Sequence, residues 1–262
     1  MFKSSSILRS DLDIDDRLAL HLAGTDEYAT AGTTANVLVG DTATINIWAN
    51  FGASACALFQ KRQDSSNYWS LNLSSFKQLN FQLKVSGSTK YSALSAVLDH
   101  LDYTWNGKWA MYTITAKPGS IALYKNAELL SLNTSSTIGG DFDNTGYFEL
   151  GRTATTVLGS SKIASIAMYN KFLEARDVRT IYNNHKLYNH GKGIYKDNLS
   201  GWYRFGKIHD TALATAVYKS YGNIAQITET SQANYYLSTE NVAADEIIDN
   251  NNVANSHVSS SV

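Results

Sequence analysis

Two carboxylates facing one cleft about 5 to 9 Å apart can hydrolyse a glycoside. The sequence offers two close pairs, Asp141 with Asp143 and Asp26 with Glu27. Both pairs stand in turn-like stretches among Gly and Asn, where exposed carboxylates are routine. The six histidines, His21, His100, His185, His190, His209 and His257, show no metal-binding spacing. His185 and His190 are five apart, too loose and too isolated to argue zinc. Cys56 is the only cysteine and lies in the apolar run Ser54–Phe59, so a buried thiol without a disulfide is expected. No Gly-x-Ser-x-Gly elbow, phosphate loop or dinucleotide fingerprint occurs, and Gly191-Lys192-Gly193 follows no convincing strand. The residues therefore predict no enzyme and imply no cofactor.

Sugar binding asks for different residues. Aromatic faces stack on apolar C–H patches, while Asn, Asp or Gln supply directional hydrogen bonds. The chain has 5 Trp and 16 Tyr. Trp48 falls on the strand face opposite Ile45 and Ile47, which predicts an outward, available ring. Tyr103, Trp105 and Asn106 sit in the polar segment Asp102–Lys108 and are the other ligand-binding candidates. Trp69 and Trp109 are expected to pack in the core or between sheets.

The elements that must position such residues are strands. Leu18–Leu22, Thr42–Phe51, Ala55–Lys61, Tyr68–Leu73 and Leu79–Val85 alternate apolar and polar side chains or read as short buried runs. Trp109–Ala116, Ile121–Tyr124, Tyr147–Leu150 and Ile163–Tyr169 continue the pattern. Breakers separate them: Gly87, Asn106-Gly107, Pro118-Gly119, Gly139-Gly140 and Asn144-Thr145-Gly146. Pro118-Gly119 predicts a type II hairpin turn. Leu173–Asn184 is the exception, with Leu173, Val178, Ile181 and Tyr182 at helical spacing. Many short strands, one late helix and no βα alternation predict an all-β antiparallel sandwich.

Composition narrows the partners. Lys and Arg total 22 against 23 Asp and Glu, with no basic cluster, so nucleic acid is not an expected partner. No stretch of 18 apolar residues exists, so no membrane span is expected. The opening run MFKSSSILRSDLDIDDR lacks the apolar region of a signal peptide. Asp11, Asp13, Asp15 and Asp16 alternate as in a calcium loop, without its central glycine and later glutamate. The chain divides into an arm at 1–17, a sandwich at 18–185 and an extension at 186–262. That extension holds an added strand, Gly201–Gly206, and the polar tail Asn241–Val262.

Several of these stretches together resemble the concanavalin A-like, laminin-G-like jelly-roll family. His21–Gly32 (HLAGTDEYATAG) is similar to its opening strand and turn, and Thr44–Asn50 (TINIWAN) to the strand that follows. Trp109–Thr115 (WAMYTIT) and Ile121–Asn126 (IALYKN) resemble the central hairpin, with Asn126-Ala127 in place of a glycine-containing turn. Tyr147–Arg152, Lys162–Tyr169 and the helix resemble the closing signature. The match covers roughly residues 18 to 185. It implies an antiparallel two-sheet jelly roll with one short helix and extended terminal arms.

The same resemblance implies calcium as the cation for Asp141, Asp143 and Asn144, because relatives often carry a rim calcium. The Glu-x-Asp-x-x-Glu signature of the family's hydrolases is absent. Two functions are left in play. The leading expectation is a bacteriophage or viral structural protein, a capsid-decorating, head- or tail-associated subunit. It would form homo-oligomers or join other virion proteins through its arms, and be assembled in the host cytoplasm. The alternative is a carbohydrate-binding module that recognises glycans through exposed aromatics.

Overall fold

A computed structural model describes residues 20–22, 28–30, 38–51, 55–98, 109–153, 156–157, 161–182, 188, 190, 193–204 and 226–228. The expected arms at 1–17 and 241–262 lie outside the described residues, as do Asp26 and Glu27. In chain order the strands are β1 (Leu20–Leu22), β2 (Tyr28–Thr30), β3 (Ala43–Phe51), β4 (Cys56–Arg62), β5 (Tyr68–Leu73) and β6 (Leu79–Val85). They continue with β7 (Ser88–Ser95), β8 (Trp109–Lys117), β9 (Ser120–Lys125), β10 (Glu128–Leu129), β11 (Leu132–Thr137) and β12 (Tyr147–Leu150). A small ribbon, β13 (Arg152–Thr153) with β14 (Thr156–Val157), precedes β15 (Ser161–Tyr169). The helix α1 (Ala175–Tyr182) and the strands β16 (Leu199–Arg204) and β17 (Gln226–Thr228) follow.

Two antiparallel sheets result. Sheet I runs β1-β15-β3-β8-β9-β10, with β16 also paired to β15. Sheet II runs β11-β7-β6-β5-β4-β12-β2-β17. Alternation decides what lies between them. Ile45, Ile47, Ala49 and Phe51 of β3 meet Trp69, Leu71 and Leu73 of β5 and Phe81 and Leu83 of β6 in one core. Among the described residues the architecture is thus the two-sheet, concanavalin A-like jelly roll with one short α-helix that the sequence predicts.

Turn chemistry fixes the register that this alternation needs. Ser86 and Gly87 both take positive φ, 50° and 78°, in the two-residue loop joining β6 to β7, a type I′ turn. Asn126 and Ala127 do the same at 52° and 65° between β9 and β10. At Pro118-Gly119 only the glycine is left-handed, at 80°, as a type II turn requires.

The outer face of sheet I carries a second core. Val178, Ile181 and Tyr182 of α1 lie with Leu173 on Trp48, Met111, Tyr124 and Tyr169. Two polar contacts hold the helix there. Thr44 Oγ1 donates to Lys171 O at 2.7 Å and accepts from Leu173 N at 2.9 Å, tying the helix entry to β3. Asp177 Oδ2 accepts from Glu174 N at 3.1 Å, the returning half of a capping box. Trp202 of β16 extends this layer and donates Nε1–H to Ser165 Oγ at 3.0 Å. One outer face of the sandwich is therefore closed. Among the described residues, no helix is long and apolar enough to cross a membrane.

Candidate functional site on the outer face of the second sheet

Sheet II turns its other side away from the core, and its polar residues gather there. In β5 the inward Trp69, Leu71 and Leu73 leave Tyr68, Ser70 and Asn72 outward. In β6 the same parity leaves Asn80, Gln82 and Lys84 outward. Register aligns these across the strands into rows. The first row is Tyr147, Arg62, Tyr68 and Lys84. The second is Glu149, Gln60, Ser70, Gln82, Ser92 and Ser136. The third is Ala57, Asn72, Asn80, Leu94 and Thr134. With ~4.8 Å between strands and ~3.4 Å per residue, the rows span roughly 13 by 14 Å over β12, β4, β5 and β6. No described helix lies on this face; the second core belongs wholly to sheet I and what covers it.

Hydrogen bonds set the side chains of these rows. The Tyr68 hydroxyl donates to Gln82 Oε1, joining the first row to the second. Arg62 and Lys84 lie 5.6 and 5.7 Å from the centre of the Tyr68 ring, one from each neighbouring strand. Gln60 Nε2 donates to Glu149 Oε2, and the Arg152 guanidinium stands 3.3 Å from Glu149 Oε1. At the end of the first row the loops are tied together. Asp64 Oδ1 accepts from Ser66 N at 2.6 Å and Asn67 N at 2.8 Å, while Asn67 Oδ1 accepts from Ser86 N at 2.9 Å. The Ser66 amide above all, with Asn67 and the Arg62 charge adding, holds the Asp64 carboxyl below the usual carboxylate range.

The candidates read from the sequence fall elsewhere. Trp48 does point away from the sandwich core, but it is completely buried under α1, with its ring stacked 6.0 Å from Tyr182. The expectation of an available ring is corrected: strand parity gives the face, and the helix that returns to Thr44 covers it. Tyr103, Trp105 and Asn106 lie outside the described residues. Trp69 is in the main core, and Trp109 is half-buried against the second one.

Asp141, Asp143 and Asn144 flank Phe142, whose ring plugs the core beside Tyr91, Phe81 and Trp69. Asp141 Oδ1 accepts from Asp143 N at 2.9 Å, and Asn144 Oδ1 accepts from Gly146 N at 2.9 Å. Two exposed carboxylates and one amide fall short of the six to eight oxygens that calcium takes. Among the described residues, no group of three or more His, Cys, Asp and Glu gathers as a metal site. The trio does not fit a calcium shell.

Other titratable groups serve the interior. Cys56 is buried, and burial pushes its thiol up to about 12, which leaves it inert as a nucleophile. His190 is buried against Tyr188 and Trp202, with the Tyr169 hydroxyl on its Nδ1.

No family model matches the chain, and no curated protein matches it. Among solved structures it resembles one described as the HCR/D F1240A mutant, at 17% identity and a TM-score of 0.50. That match covers 63% of this chain and 42% of the other. The binding domain of botulinum neurotoxin serotype D/C VPI 5993 is similar at 18% identity and a TM-score of 0.43, over 55% of this chain and 37% of that one. The native heptameric SAP-like pentraxin from Limulus polyphemus is similar at 14% identity and a TM-score of 0.44, over 64% and 83%. At such identities the likeness shows the jelly-roll fold alone. The expectation of a virion subunit is corrected to the jelly-roll fold, which is all that these likenesses, among them structures described as a neurotoxin binding domain and a pentraxin, carry.

Proposed function

We propose that the chain is a non-enzymatic, lectin-like binding domain that holds a glycan on the outer face of sheet II. The observation that carries this reading is the set of polar rows over β12, β4, β5 and β6, opposite a sheet whose own outer face is filled by α1. A sugar needs donors and acceptors in fixed directions. Asn72 and Asn80 each offer both from an amide, Gln82 keeps its amide N–H groups while its oxygen takes the Tyr68 hydroxyl, and Ser92 offers a hydroxyl. Tyr147, exposed at the head of the first row, supplies an aromatic face. All stand on strands paired on both sides, so little ordering entropy is lost on binding. The similar toxin structure is described as a binding domain, which agrees with this reading without extending it.

The test is a titration of the full chain against a broad glycan panel, beside the variant Asn72→Ala/Gln82→Ala. Saturable binding that falls at least tenfold in the variant is expected. Flat titrations across the panel, or binding that the variant leaves intact, would remove the proposal.

A further inference from the structure

We infer that the ligand of this face is anionic, a glycan carrying carboxylate or sulfate groups, recognised by Arg62 and Lys84 on either side of Tyr68. The inference rests on the proposed binding face and names its ligand class. Its ground is the first row, which holds two cations and no carboxylate. Neither Arg62 nor Lys84 makes an ion pair with a described residue; each is placed by the Tyr68 ring. The carboxylates nearest in sequence or register are already engaged. Asp64 accepts from Ser66 and Asn67 in its own turn, and Glu149 is held by Arg152 and Gln60.

The backbone beneath the row is fixed as well. Gly146 approaches β4 so closely that a Cβ there would stand 2.0 Å from the carbonyl carbon of Arg62. This sets Tyr147 directly beside Arg62. Across β4, β5 and β6 the two cations start about 10 Å apart at their backbones. Both long side chains lean over the same ring, so one anionic group above Tyr68 is within reach of both. The guanidinium offers paired N–H groups that match a carboxylate or sulfate, and the ammonium adds a second point charge. A neutral sugar would leave Lys84 without a counter-charge and Arg62 with only the more distant Asp64, whose oxygens are bonded within its own turn.

The experiment compares three oligosaccharides of equal length on the full chain: a neutral galactan, an oligogalacturonate and a carrageenan fragment. Each is titrated at low and at moderate salt. At least tenfold tighter binding of an anionic probe is expected, weakening as salt rises. Arg62→Gln/Lys84→Gln should bring that probe to the level of the neutral one, and Lys196→Gln, an exposed lysine outside sheet II, should change nothing. Circular dichroism confirms that each variant is folded. Equal affinity for neutral and anionic probes overturns the charge inference and leaves the binding face standing. An anionic preference that survives the double variant overturns its placement at Arg62 and Lys84. Absence of binding to all three probes and to the broad panel overturns the binding face itself, and this inference with it.

Discussion

Trp48→Ala should cost the fold about 3 to 5 kcal/mol, the range for truncating a large buried aromatic. The ring is completely buried between sheet I and α1, among Met111, Tyr182 and Trp202, and its removal opens a cavity under the helix. Its indole Nε1–H has no hydrogen-bond partner among the described residues. That orphaned donor costs about 1 to 3 kcal/mol as it stands. Trp48→Phe removes the donor and keeps a ring against Tyr182, so gain and loss nearly offset and a change within about 1 kcal/mol is expected. Urea denaturation followed by circular dichroism reads both variants. With a slope of about 2 kcal/mol per molar, the alanine variant should lose roughly 2 M in midpoint. A Trp48→Ala change within about 0.5 kcal/mol of the parent, the value of an exposed site, would refute the covering role of α1.

Ala127→Gly should stabilise the protein by about 0.5 to 1 kcal/mol, because it relieves a left-handed alanine in the β9–β10 turn and gives back part in chain entropy; the urea midpoint should rise. Gly146→Ala should destabilise by about 1 to 3 kcal/mol and weaken glycan binding together, since the added carbon must push β12 off Arg62; unchanged stability would contradict that close approach. Stability should fall as the medium turns alkaline. Burial pushes Cys56 and Tyr91 up to about 12, and it raises Tyr112 and Tyr169 well above the ordinary tyrosine value. The unfolded chain releases these protons first, from the ordinary values of 9.0 and 10.0 upward, so it binds fewer protons than the folded state and gains in stability relative to it. Lys61, held below its usual range by burial against the opposing charge of Asp143, works in the other direction, as one group against four. The urea midpoint should therefore be lower at about pH 11 than at about pH 8, the unfolding free energy falling by up to about 1.4 kcal/mol per group and pH unit; a rise would contradict this ordering.

Much of the sandwich is legible because alternation is a local property. The spans expected for Tyr68–Leu73, Leu79–Val85 and Tyr147–Leu150 are those of β5, β6 and β12, and α1 lies inside Leu173–Asn184. The strands Ser88–Ser95 and Leu132–Thr137 escape a reading by apolar periodicity. STKYSALS and LNTSST are mostly small polar residues at the margin of sheet II, and only pairing makes strands of them. Trp48 shows where parity stops being informative. It tells which side of β3 the ring takes, while the helix that covers it arrives through Thr44 and Leu173, 129 residues apart. Asp141 and Asp143 show another limit, as carboxylates beside an Asn in a loop serve an Asx turn as well as they serve a cation. The polar rows had a signal in the outward parity of Tyr68, Ser70, Asn72, Asn80, Gln82 and Lys84. What brought them together was the lateral order and register of four strands, which one sequence does not carry.

The proposed function places a glycan on the outer face of sheet II. Side-chain amide resonances test it most directly, because Asn72, Asn80 and Gln82 lie in the rows, while Asn46 and Asn126 belong to sheet I. Titration with the tightest-binding glycan should shift the signals of Asn72, Asn80 and Gln82 saturably and leave Asn46 and Asn126 in place. Saturable binding that moves Asn46 or Asn126, with the three row amides still, would contradict the account.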